Sequence, residues 1–532
     1  MRPIIFTIWA VTILSRGIFA DEILPERPDS DAIASAIEQA SPGDVVRLAP
    51  ETYAVYGTIR LRSRVSLMGA GQEKTLLRFE GRVNASLLDL SDCTDVEVRD
   101  LTLDGNNNPN VRQGISAGNA DGLRIRHVTI RNLAKGEGFG PHGILFAGQN
   151  PTRAGGVTDS EIADGRFEHI GVGADFGCAI RLSWGSSRNR ILRNVIEHTG
   201  RGGIFTDNGS TDIVIQGNTV AGSGGEGLGI EAWGGGDRTV IEDNRIDHWL
   251  SIGGSDYCAV RRNTISDTSG RYAFCGIEAI GSHLVITGNL VDAGQKIGLS
   301  VSGGQAKEYV YWADNTVRNC NQWGAQFQGE QGGIACHYLY RCIFERMPLA
   351  LGPVWYSGDE GHGFRVNGHT RHVMFDRCVF RDNGRCGIQF VGGNMDALLF
   401  RKCSILDNRG PAVLPANPHA TIGWRNCAVR GNADNGLPSG VSIPRESYRV
   451  SIRGPSRVRL GETVLFGVRT RMEITHILWD FDEGVPVADR APSHAFTVPG
   501  KHVMAVVVWD RQGNAARAEK TVNVLSMVPG SQ

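Results

Sequence analysis

Between Asp175 and Gln328 the chain repeats one short phrase: a small residue, an apolar one, alternating apolar and polar positions, then an asparagine. Ile180, Ile204, Ile230 and Ile277 mark the apolar position, and Asn194, Asn218, Asn244, Asn263, Asn289 and Asn315 mark the end. The asparagines are 24, 26, 19, 26 and 26 residues apart. A period of that size predicts a solenoid, in which one unit buries its apolar face only by stacking on its neighbours. Apolar residues recur every second position rather than every 3.6, so the unit is a coil of short strands paired in parallel with those above and below. Asn suits the turn between two such strands, because it tolerates the left-handed region and its amide can bond along the stack.

Other stretches extend the plan. Ser30 can cap an amphipathic helix over DAIASAIEQA, placed to cover the open end of the solenoid, with the turn SPGD and the strand VVRLAP after it. The repeat stops near Gly431, and the polar stretch that follows reads as a linker. The expected organisation is a signal peptide over 1–20, the solenoid over 21–435, a linker over 436–447 and a second domain over 448–526. Met1–Ala20 carries Arg2, an apolar run and a small residue before Asp21, which predicts export to the periplasm or the medium.

The opening DAIASAIEQASPGDVVRLAPETY, the string VSLMGAGQEKTLLRF and the asparagine ladder resemble right-handed parallel β-helix proteins of the pectin-lyase type. The likeness spans about Asp21 to Asn435 and implies an all-β, right-handed parallel β-helix with an N-terminal capping helix. That superfamily includes polysaccharide lyases, glycoside hydrolases, epimerases and adhesins, so the likeness implies a fold more than an activity. The NTD, DD and RIK strings of polygalacturonases and the Asp-Pro-His-Asp signature of alginate epimerases are absent. From Tyr448 the chain resembles a small Ig-like β-sandwich of the PKD type, through WDFDEG (Trp479 to Gly484), SHAF, Pro499-Gly500 and VMAVVVWD. Members of that family usually carry glycine where Asp482 stands, and such modules act as spacers or weak contacts.

Charge narrows the partners. With 55 basic and 56 acidic residues, nothing predicts nucleic acid or an anionic membrane as a partner, and no segment after the signal is long and apolar enough to span a bilayer. The expected protein is a secreted monomer acting on a polysaccharide or oligosaccharide. Of the 11 cysteines, Cys342, Cys378, Cys403 and Cys427 each occupy the turn position of a late coil. They are expected as a stacked column of free thiols rather than disulfides or a zinc site.

Registering the phrases on their isoleucines gives the outward positions. One row reads Arg181, Phe205, Glu231, a skipped short coil, then Glu278, Ser300 and Gln326; two residues further on stand Ser183, Asp207, Trp233 and Ile280. Arg181, Asp207, Glu231 and Glu278 thus share one face, flanked by Trp184, Trp233 and Trp323. Strand spacing puts Asp207 and Glu231 about 8 Å apart at the backbone and Glu231 and Glu278 about 10 Å apart. Side chains can shorten either gap into the range of roughly 6.5 to 9.5 Å of an inverting glycosidase, where a water fits between acid and base. The expected chemistry is therefore glycoside hydrolysis without a cofactor or a metal. Glu231, Asp207 and Glu278 are the acid and base candidates and Arg181 is a clamp; Trp233, Trp184, His142 and Gln326 touch substrate. The alternative enzyme is a polysaccharide lyase acting on a uronate polymer. Arg181, Lys296 or Arg271 would take the proton, with Asp207, Glu231 and Glu278 holding Ca²⁺. A third reading is a non-catalytic glycan-binding β-helix. The longer coil from Arg341 to Arg377 predicts an excursion whose Trp355, Tyr356, Asp359 and His362 suit a cleft wall or, equally, a passive surface loop.

Overall fold

The computed structural model describes residues 21–224, 228–267, 274–292, 296–304, 307–349, 354, 358–415, 420–439 and 448–526. The predicted signal peptide, most of the predicted linker, Arg271, Trp355 and Tyr356 lie outside the described residues.

A helix spans Ser30–Gln39 and sets Ile33, Ala36 and Ile37 on the first coils, as their three- and four-residue spacing dictates. Its N-cap is Asp29, one residue before the Ser30 expected from sequence: the Asp29 carboxylate accepts from the Ala32 amide at 2.8 Å, and Ser30 is already helical. The helix ends before Ser41 and Pro42, and Gly43 takes the left-handed turn at φ 109°.

Every strand from Glu22 to Arg430 joins one parallel hydrogen-bonded system of 43 strands. A coil consists of three strands, as in Cys178–Ser183, Arg190–Leu192 and Val195–Thr199, and each strand pairs with its counterpart one coil on. Inside, Ile180, Ile204, Ile230, Leu250, Ile277 and Leu299 stack in register, all at most 1% exposed. Each such burial contributes roughly 1.5–3 kcal/mol. The short coil is not skipped: Trp249–Gly253 fills its place, and a register shift between Leu228 and Ile230 absorbs the missing residue.

The asparagine column is a continuous hydrogen-bond ladder. Asn218 Oδ1 accepts from both the backbone amide and the side chain of Asn194, and Asn218 Nδ2 donates to the Ile191 carbonyl at 2.9 Å. Asn244, Asn263, Asn289 and Asn315 repeat the pattern. The left-handed backbone expected at these asparagines falls one residue earlier, on Arg193, Gly217, Asp243, Arg262, Gly288 and Asp314, at φ 53–69°. The chain turns at that residue, which leaves the next side chain aimed along the stack. Beyond Asn315 the column passes to cysteine: Asn315 Nδ2 donates to Cys342 Sγ at 3.8 Å. The Sγ atoms of Cys378, Cys403 and Cys427 then donate to the carbonyls of Leu339, Phe375 and Phe400. All four are free thiols.

Residues 448–526 form a separate all-β unit with its own core around Phe466, Trp479, Phe481, Phe496 and Val506. Its main sheet orders Arg457–Arg459, Ala515–Leu525, Gly500–Trp509 and His476–Asp480. Asp482 stands at φ 66°, the backbone region that glycine favours. The unit is not a free spacer. Arg261, fully buried on the solenoid, donates from Nε and Nη2 to Asp480 Oδ1 at 3.1 and 2.7 Å and from Nη1 to the Gly484 carbonyl at 2.6 Å. Around it Leu478, Val507 and Trp509 pack on Tyr311, Tyr338 and Met374. Stacked rings of Tyr257, His283 and Tyr309 end on His476 of the unit. Among the described residues no helix is long and apolar enough to cross a membrane.

Candidate active site

Parallel pairing fixes the rows of the first sheet. One runs Arg181, Phe205, Glu231, Ser251, Glu278, Ser300, Gln326, Arg365 and Gln389, with Ser251 filling the expected gap. The row two residues on runs Asp207, Trp233, Gly253 and Ile280. The four predicted ionisable residues therefore come out on one face, as expected. They do not line an open groove: Arg181 is 4% exposed, Asp207 3%, Glu231 4% and Glu278 7%. Residues that precede the strands cover Arg181. Phe139 and Phe176 stack on each other at 4.5 Å, and the Arg181 guanidinium lies 4.3 Å from the Phe139 ring and 4.8 Å from Phe205.

Each carboxylate has its own partner. Arg181 Nη2 is ion-paired with Asp207. Arg201, which opens the phrase RGGIF, reaches up to Glu231 through two hydrogen bonds, Nη2 to Oε1 at 3.0 Å and Nε to Oε2 at 3.2 Å. Glu278 accepts from the Ser251 hydroxyl at 2.7 Å. Burial raises the pKa of Glu231, against the opposing pull of Arg201. Burial raises Glu278 further, to about 7; the Ser251 hydrogen bond opposes the rise and the Glu231 charge adds to it. Two coil spacings separate these glutamates, about 10 Å at the backbone.

The remaining predicted residues are dispersed. His142 is buried under Phe139 with neither ring nitrogen hydrogen-bonded; burial and the Arg181 charge push its pKa down to about 3, so it is neutral. Trp184 lies beyond the strand, in a turn at φ 52°. Trp323 is buried, donating from Nε1 to the Asp359 carbonyl at 2.6 Å beneath the Arg365 guanidinium, and offers no stacking surface. Gln326 bonds Gln328 at 2.8 Å. Lys296 precedes the strand Ile297–Val301, and its carbonyl accepts from the Gln322 amide at 2.8 Å. Among the described residues of the predicted site, Trp233 alone is exposed, at 47%.

Asp359 of the long excursion turns inward, accepting from Gln389 at 2.7 Å and lying 3.2 Å from His362 Nε2 and 3.6 Å from Arg365. Burial works to raise its pKa, but the His362 and Gln389 hydrogen bonds outweigh it and hold the carboxyl low. It organises the far end of the row rather than a cleft wall. Sequence reasoning missed Arg201, Arg365 and Gln389; the signal for the last two was their place in the row.

Asp207, Glu231 and Glu278 are each held by a different partner: Arg181, Arg201 and Ser251. Among the described residues no group of three or more His, Cys, Asp or Glu is placed to hold a metal ion. No step is therefore derived through calcium.

No curated protein matches this sequence. Among solved structures, the mannuronan C-5 epimerase AlgE4 A-module of Azotobacter vinelandii is 16% identical, covering 74% of this chain and 95% of its own, at a TM-score of 0.39. An alginate lyase of Paenibacillus is 14% identical over 66% of this chain and 98% of its own, at 0.37. The catalytic unit of a GH87 α-1,3-glucanase from Streptomyces thermodiastaticus is 13% identical over 78% and 67%, at 0.35. The family model of the right handed beta helix region matches residues 86–249 and 248–442, which is most of the chain, and the protein belongs to that family.

Proposed function

We propose that this protein is a carbohydrate-active enzyme that hydrolyses a glycan along the Glu231–Gln326 row, with Glu278 as general acid and Glu231 as general base. The observation that carries the reading is the difference between two carboxyls on one face. Glu278, buried against a hydroxyl, keeps its proton to about pH 7, as a general acid must. Glu231 is also raised by burial, but it faces a bidentate guanidinium that opposes the rise and that Glu278 lacks, which makes it the better base of the two. Their separation leaves room for a water, and inversion follows. Asp207 and Arg181 neutralise each other, so their part is to position the row rather than to transfer protons. Substrate reaches the row by displacing the side chains that lie over it.

A second reading, a non-catalytic glycan-binding β-helix, is favoured by the same ion pairs, which a purely structural face would also use. Incubation with neutral and uronate polymers separates the readings. New reducing ends, abolished in Glu278→Gln, support hydrolysis. An ultraviolet-absorbing unsaturated product means β-elimination. Binding without product means the non-catalytic protein. We further propose that residues 1–20 direct export, that the Ser30–Gln39 helix caps the solenoid, that residues 448–526 are a PKD-type module and that the protein is a monomer. N-terminal sequencing and light scattering of the exported protein test the first and last of these.

A further inference from the structure

Trp233 is the large exposed aromatic of the site sheet, and its position depends on a glycine one coil away. It pairs in register with Gly253, and a Cβ built on Gly253 would fall 1.8 Å from Trp233 Cε3 and 2.2 Å from Cζ3. The indole therefore lies over the neighbouring strand's backbone, in contact with the main chain, with nearly half of its surface in solvent. Any side chain at 253 would lift it. An exposed ring seated over bare backbone is an apolar shelf beside the row of Glu231, Ser251 and Glu278.

The shelf adjoins the proposed acid. Ser251, two residues before Gly253 on the same strand, is about 6.6 Å away along the chain, and Glu278 stands one coil beyond Ser251, so Gly253, under the indole, is about 8 Å from Glu278 at the backbone and Trp233, one coil further back, about 12 Å. One short oligosaccharide can therefore reach both. A pyranose has one face of C–H bonds, which suits an indole, and a rim of hydroxyls, which meets Ser251, Ser300 and the Gln326 amide, buried in the adjoining row, once the side chains over that row are displaced.

We propose that Trp233, seated on Gly253, is a stacking subsite for the pyranose ring next to the cleaved linkage, and that the substrate is a chain of hexopyranose units presenting a C–H face there. The inference rests on the Glu278 and Glu231 reading for the position of cleavage, whereas the stacking itself stands on Trp233 and Gly253. Two variants probe it from opposite sides: Trp233→Ala removes the ring, and Gly253→Ala leaves the ring but displaces it. Laminarihexaose, cellohexaose and hexamannuronate serve as probes, with tryptophan fluorescence titration in a Glu278→Gln background and steady-state kinetics in the wild-type background.

The expected result is that one hexasaccharide perturbs the fluorescence, that both variants weaken its binding and raise KM roughly tenfold, about the worth of one stacked ring, and that kcat changes little. If Glu278→Gln is inactive but both variants keep wild-type KM and binding, the subsite is wrong and the acid assignment stands. If no glycan is turned over, or Glu278→Gln stays active, the cleavage reading fails. The titration then decides the subsite alone: a fluorescence change lost in Trp233→Ala upholds it, and no change with any of the three probes overturns it.

Discussion

Replacing Glu278 by Gln should make the protein more stable relative to wild type as the pH rises. The native carboxyl titrates near 7, above the ordinary value of 4.5, because burial disfavours its charge. A carboxyl raised in this way helps the native state while it is protonated there, and that help fades as pH climbs from the unfolded value through the native one. Between pH 5 and pH 8 the wild type should lose about 2.5 kcal/mol through this one group. The amide has the same shape and no charge to desolvate, so it should lose none of it. Other titrating groups are common to both proteins and cancel in the difference. Urea unfolding of both proteins at the two pH values gives the difference, and the infrared band of the protonated carboxyl, taken as wild type minus variant, gives the midpoint directly. Equal stability differences at both pH values, or a carboxyl midpoint near 4.5, would refute the claim that Glu278 is held protonated by burial. Under the hydrolytic reading the rate should fall over the same interval, because the acid form is the working one.

Other outcomes follow from the ladder and the docked unit. Arg261→Ala should cost about 3–5 kcal/mol, since Asp480 is left buried without its partner, and calorimetry should show the C-terminal unit melting apart from the solenoid. Asn244→Ala strands the Ile215 carbonyl and the Asn218 amide, each worth about 1–3 kcal/mol; a loss below 1 kcal/mol in urea would show that the ladder is dispensable. Cys342→Asn should extend the ladder by one step and stabilise by about 1 kcal/mol, and a destabilised variant would mean that the cysteine column needs thiol-sized side chains. Cys342, Cys378 and Cys403, all buried, should resist alkylation until the chain unfolds, which mass spectrometry after a timed pulse reads out.

The winding of the chain was legible because its two controlling columns are chemically uniform. Isoleucine at Ile180, Ile204, Ile230 and Ile277 and asparagine from Asn194 to Asn315 each do one job that one side chain does best. The short coil was harder to read because it lacks the small residue that precedes the isoleucine elsewhere. Leu250 takes the inward place directly after Trp249, and the register slips by one residue to accommodate it. The offset at the turns has a related cause. Composition associates Asn with left-handed backbone, yet here arginine and aspartate bear that strain, because the following position has the geometry that only an amide or a thiol can use.

The face of the site was legible from alternation, whereas its burial and its pairing were not. Which arginine meets which carboxylate depends on Arg201, Phe139 and Phe176, which arrive from turns outside the repeating strand, where the period says nothing about side-chain direction. That pairing nevertheless isolates one residue. Asp207 and Glu231 each face a guanidinium, the arrangement that limits the penalty of burying a carboxylate. Glu278 faces Ser251, and a hydroxyl cannot supply the charge that would bring its pKa back. An arginine at 251 would complete the series and remove the stability lost at neutral pH. A row that satisfies its other acids and leaves this one under-compensated is arranged as a proton donor would be, since local rules are broken most often where a site needs a group in its less stable form.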